Sequence, residues 1–93
     1  MISKLNKQHE LKKQLAEIRN DFKIATKFTT RAKIISALNR VFRELYDFEQ
    51  KNKNTVGYTS KINNAVFNLY HKIDIKKVEY MEYYDKFYYK QFN

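Results

Sequence analysis

The side chains that could carry out chemistry are few, and their spacing scatters them. The two histidines, His9 and His71, lie far apart in the chain. A metal centre or an acid–base pair needs such groups gathered on one face or in one cleft, and each histidine reads instead as an exposed or half-exposed helix residue. The ten acids fall mostly on polar helix faces beside lysines, as Glu82 and Lys86 do one helical turn apart. There is no cysteine, so thiolate nucleophiles, disulfides and zinc ribbons are excluded, as suits a reducing compartment. No glycine-rich loop is available to cradle a phosphate, and no nucleophile elbow is present. A catalytic carboxylate must be desolvated in a cleft, which a small bundle with filled apolar stripes does not offer. The expectation is therefore a protein that is not an enzyme, with no catalytic residue, cofactor or metal.

What remains is the chemistry of contact, and charge is its first component. The net charge is +9, and residues 1–43 carry eleven basic against three acidic side chains, whereas residues 44–93 carry eight against seven. From Phe22 to Arg43 there is no acid at all, and Lys23, Lys27, Arg31, Lys33, Arg40 and Arg43 form a basic patch along the sequence. Such a patch favours an anionic partner: nucleic acid, lipid headgroups or an acidic protein surface. The turn after the first helix lacks helix-turn-helix chemistry, and the following apolar seam is committed to a core. A small basic regulator or inhibitor that binds nucleic acid or nucleoprotein, of the kind a phage encodes, is accordingly the alternative reading rather than the first.

Aromatic surface is the second component. On a helical wheel, Tyr80, Met81, Tyr84, Phe87, Tyr88 and Phe92 cover about half the circumference, with Val78 and Tyr89 widening the arc, while a bundle helix needs an apolar face of only about 100°. Met81, Tyr84 and Tyr88 are expected to pack inward, and Tyr83 and Tyr89 to stay outside. The candidate partner-binding residues are Tyr80, Tyr83, Tyr84, Tyr88, Tyr89 and Phe92, because tyrosine offers a large contact area with a polar tip.

The elements that must position these groups are helices. One glycine and no proline in 93 residues argue for helices joined by short polar turns. Leu11, Leu15, Ile18, Phe22 and Ala25 recur at intervals of four and three along a first helix from about Ser3 to Phe28. Thr29 or Thr30 can cap a second helix from about Arg31 to Lys51, although two helices or one bent helix both remain open here. The second seam is Ile34, Leu38, Val41, Leu45 and Phe48, widened by Ile35 and Phe42. Asn52 to Gly57 ends it, with glycine suited to left-handed backbone angles. Thr59 or Ser60 can open a third helix to about Lys72, with Tyr58, Ile62, Ala65 or Val66, Leu69 and Ile73 on its stripe, and Asp74 can cap a fourth running from Ile75. The expected architecture is all-α, an antiparallel four-helix bundle in a single domain over residues 1–93. Residues 1–7 lead straight into a charged helical pattern and read as no signal peptide. Apolar runs are far short of the roughly 18 residues that span a bilayer. The expectation is a cytoplasmic protein, with any membrane contact peripheral.

Residues Ile34 to Tyr84 resemble the immunity proteins of pediocin-like (class IIa) bacteriocins of low-GC Gram-positive bacteria. The similar features are the second helix Ile34-Ile35-Ser36-Ala37-Leu38-Asn39-Arg40-Val41-Phe42, a Lys/Asn-rich loop, the opening Ser60-Lys61-Ile62-Asn63-Asn64-Ala65-Val66, and the step Ile73-Asp74-Ile75. The threonine or serine and the glutamine that commonly follow in that family are absent, with Lys76 and Glu79 or Tyr80 standing nearby. The resemblance implies a cytoplasmic four-helix bundle that confers resistance to an antimicrobial peptide through protein–protein interaction. The partner it implies is a membrane receptor complex, the mannose phosphotransferase permease with bound bacteriocin. It also implies that the C-terminal half sets which bacteriocin is countered. A basic N-terminal half would suit an anionic membrane surface.

Overall fold

The computed structural model describes the backbone of residues 2–92 and the side chains of residues 5–81. It consists of three helices, α1 (Ile2–Ala25), α2 (Arg31–Asn52) and α3 (Ser60–Phe92), with no strand among the described residues.

α1 buries Leu11, Leu15, Ile18 and Ala25, with Phe22 half-buried beside them. It ends without a glycine. Thr26 N donates to Phe22 O (3.3 Å), Lys27 N to Ile24 O (3.0 Å) and the Thr26 hydroxyl to Lys23 O (2.8 Å), so the last carbonyls are satisfied by a tightened turn. Thr30 then stands in extended backbone (φ −110°, ψ 147°), and its hydroxyl accepts from Lys33 N at 3.3 Å. That N-cap starts a separate helix, which decides between two helices and one bent one.

α2 presents Ile34, Leu38, Val41, Leu45 and Phe48 to the core, all buried as their periodicity predicts. Phe42 is different. It lies at the outer rim, stacked on α3, and does not widen the seam. The helix closes on a buried asparagine. Asn52 Nδ2 donates to Phe48 O (2.9 Å), while its own carbonyl accepts from the Thr55 amide (2.9 Å) and the Thr55 hydroxyl (2.7 Å). Gly57 follows at φ +107°, and a Cβ there would sit 3.2 Å from Gln8 N and 3.3 Å from Lys7 Cβ. Glycine is therefore required twice, for its backbone angle and for the close passage of the loop over α1. Thr59 caps α3, its hydroxyl accepting from Ile62 N at 3.2 Å.

α3 corrects the expected helix count. Residues 60–92 form one continuous helix, so the third and fourth helices are a single element. Nothing between Leu69 and Val78 breaks the backbone: there is no proline or glycine, and aspartate at 74 prefers a cap but tolerates an interior position at a cost of only about 0.7 kcal/mol. Ile73, completely buried, holds this stretch against the other helices. The short connections make α2 antiparallel to both neighbours, so α1 and α3 run parallel.

The core is Leu11, Leu15, Ile18, Ala25, Ile34, Leu38, Val41, Leu45, Phe48, Ile62, Val66, Leu69 and Ile73. Fully burying one such aliphatic side chain contributes about 1.5–3 kcal/mol. At 33 residues α3 is about 50 Å long, and it outruns its partners. The molecule measures 64 × 21 × 16 Å. After Ile73 no described residue is fully buried, although Tyr80 packs partly against the core. No helix is long and apolar enough to cross a membrane among the described residues.

Candidate interaction surfaces

The acid-free stretch from Phe22 to Arg43 becomes the closed end of the α1–α2 hairpin. Lys23, Lys27, Lys33, Arg40 and Arg43 are exposed there, and Arg31 is half-buried. The fold does not keep them as one patch. Lys33 and Arg40 share a shallow groove with Phe28 and Ser36 on α2's outer side. Lys23 turns the other way, into the groove between α1 and α3, where it lies with Phe22, Asn68 and Lys72. Helical spacing explains the split: Lys33 and Arg40, seven apart, lie on one stripe of α2, while Lys23 belongs to a stripe of α1 facing α3.

Below that end, acids gather. Glu17, Asp21, Glu44 and Asp47 line an open groove between α1 and α2 with Gln14, Lys51 and Asn52. Glu44 is pushed up to about 7, first by burial, then by the hydrogen bond and the charge of Asp21 across the interface, with Arg40 pulling the other way. This pairing departs from the expectation that the acids sit on solvated faces beside lysines. No spacing rule links residues 21 and 44, which only the hairpin brings together. Among the described residues, no three histidine, aspartate or glutamate side chains gather as a metal cage, and His9 and His71 are both exposed.

The aromatic surface also lies elsewhere than expected. Phe42 and Tyr70 stack across α2 and α3 with centroids 5.2 Å apart, tilted by 54°. Phe67 adds a second tilted contact to Tyr70 at 6.4 Å. Lys77 Nζ sits 5.9 Å from the Phe42 ring centre, within cation–π range. The Tyr70 hydroxyl donates to Glu49 Oε1 at 3.0 Å, and burial followed by that carboxylate drives its pKa up. The result is an anchored aromatic ridge whose outer members stay open to solvent: Phe67 is 56% and Tyr46 49% exposed. Phe67 and Tyr70 are three apart on α3, and Phe42 and Tyr46 four apart on α2. Each pair is legible singly, but the ridge exists only where the helices meet.

Of the expected partner-binding residues, Tyr80 is half-buried and leans on the core edge. Tyr83, Tyr84, Tyr88, Tyr89 and Phe92 lie outside the described side chains. Met81, expected to face inward, is 52% exposed, and Val78 is 50% exposed. The physical reason is the continuous α3: without a turn at Asp74, this part of the helix runs beyond α1 and α2 instead of folding back on them.

The fold and these surfaces define a three-helix bundle with separate charged and aromatic contact faces. No family model, curated protein or solved structure matches the chain.

Proposed function

We propose that this protein works by docking, without chemistry, as a bacteriocin immunity protein of the pediocin-like type. The observation that carries the proposal is the anchored ridge of Phe42, Phe67 and Tyr70, which falls inside the segment Ile34–Tyr84 that resembles that family. Rigid, partly exposed aromatic side chains are the groups that dominate protein–protein hot spots. The opening of α3 at Ser60, after a Lys/Asn-rich loop, agrees with the resemblance. The continuous helix through Ile73–Ile75 departs from it, since a four-helix arrangement would need a turn there. The partner in this reading is the receptor complex, the mannose phosphotransferase permease with bound bacteriocin, met at the cytoplasmic face of the membrane.

The test is protection. Expression in a sensitive lactic acid bacterium should give resistance to one or a few pediocin-like peptides. A panel of such peptides killing expressing and control cells equally, with the folded protein detected in the expressing cells, removes the proposal.

A further inference from the structure

A second surface lies on the opposite side of α1 from the acidic groove, and its pattern repeats across two helices. On α1, Lys12, Arg19 and Lys23 follow one another at intervals of seven and four. On α3, Lys61, Asn68 and Lys72 do the same, each 49 residues later than its α1 counterpart. Because the two helices run parallel, equal intervals bring equal positions side by side. Lys12, Arg19 and Lys61 line one end of the α1–α3 groove, and Arg19, Lys23, Asn68 and Lys72 line the other. The two ends share Arg19 and Ala65, over a floor of Leu15, Phe22, Ile62 and Leu69. From Lys12 to Lys23 the row is about 16 Å long, at 1.5 Å per residue.

No acid lines this groove, and none of its five cations forms an ion pair among the described residues. The next acid along the α3 stripe, Glu79, is bound to Lys76 at 3.4 Å. Five like charges on one face therefore have no ion-pair partner among the described residues, while Glu17 and Asp21 of α1 line the reverse side with Glu44 and Asp47. Across α1 the two signs of charge are thus separated, which orients the molecule on an extended negative surface in a way that net charge alone would not.

Two features select among anionic partners. Exposed apolar residues lie on the same two stripes at opposite ends: Leu5, seven before Lys12 and 59% exposed, and Ile75, seven after Asn68 and 45% exposed. Cations with apolar side chains at their margins suit a bilayer interface, where charge meets headgroups and hydrocarbon enters the boundary. The groove also lacks an exposed aromatic ring for bases to stack on, Phe22 being half-buried in its floor, whereas single-strand binding relies on such platforms. We infer that the α1–α3 face is a membrane-contact surface that docks the protein on anionic phospholipid headgroups through Lys12, Arg19, Lys23, Lys61 and Lys72. The inference rests on charge and geometry and does not depend on the immunity reading.

The experiment is sedimentation of the full chain with vesicles of phosphatidylcholine containing phosphatidylglycerol, against pure phosphatidylcholine. Binding is expected only to the anionic vesicles, weakening as salt rises. The variant Lys12→Gln/Arg19→Gln/Lys61→Gln should bind about 100-fold more weakly, at about fivefold per charge. The control Lys33→Gln/Arg40→Gln/Arg43→Gln removes the same charge from the other side and should change binding less than about threefold. All six positions are exposed, and unchanged circular dichroism verifies the fold. Equal losses in the two triple variants would reduce the effect to net charge and overturn the inference. So would absent vesicle binding, or tighter binding of a single-stranded oligonucleotide that the first variant abolishes. Absent vesicle binding by the parent protein, with protection intact, refutes the membrane face alone; vesicle binding by the parent protein with no protection refutes the immunity reading alone.

Discussion

Asp21 on α1 and Glu44 on α2 face one groove across the helix interface, and the stretch between them in the chain contains no acid. Burial and the Asp21 charge raise Glu44 from its ordinary 4.5 to about 7. Since the folded state holds this proton more tightly than the unfolded chain, its contribution to stability is complete below about 4.5 and is lost as pH rises through 7. Glu44→Gln should therefore gain on the parent protein between pH 5 and pH 8. The partly solvated site limits the gain to the order of 1 kcal/mol. Thermal unfolding of both proteins at the two pH values reads the difference, and parallel curves would contradict it.

Gly57 should not tolerate alanine. Its φ of +107° and the 3.2 Å approach to Gln8 N leave no room for a Cβ without moving the loop or the start of α1. A loss of about 2 kcal/mol is expected in urea unfolding, with the denaturant slope unchanged.

Asn52→Ala removes a buried side chain whose amide satisfies Phe48 O. The expected loss is about 1–2 kcal/mol, with faster hydrogen exchange at Thr55, whose amide bonds the Asn52 carbonyl.

Ile75→Pro separates one long helix from two. In the interior of α3 (Ser60–Phe92), proline removes a backbone bond and clashes with the preceding turn, costing about 3 kcal/mol. At the first position of a separate helix capped by Asp74 it would be nearly neutral. A Tm within a degree of the parent would show that the helix breaks at 74.

Phe67→Ala distinguishes docking from packing. The ring is 56% exposed, so the substitution should cost less than about 1 kcal/mol. It should nevertheless lose most of the protection in the peptide-resistance assay, as truncation of an interface anchor does.

The helices were legible because their signals are local. Leu11, Leu15 and Ile18, the seam from Ile34 to Phe48, and Ile62, Leu69 and Ile73 all lie where intervals of three and four place them. Thr30, Thr59 and Gly57 act at the ends because capping and left-handed backbone are decided within a few residues. The misjudged elements share one trait: Asp74, Phe42 and Met81 each satisfy a local rule that their wider context overrides. A capping residue does not stop a helix whose next turns are unbroken. Nor does an apolar residue at the edge of a seam enter the core when a Tyr70 ring already covers it.

By itself, then, the sequence determined an all-helical chain with one core, a basic front half and aromatic surplus, since period, composition and charge are properties of the string. Tertiary structure alone decided which charges meet. The hairpin set Asp21 against Glu44, 23 positions away, and the parallel run of α1 and α3 aligned two rows of cations 49 residues apart. Such pairings depend on the direction and offset of packed helices, which no local periodicity encodes.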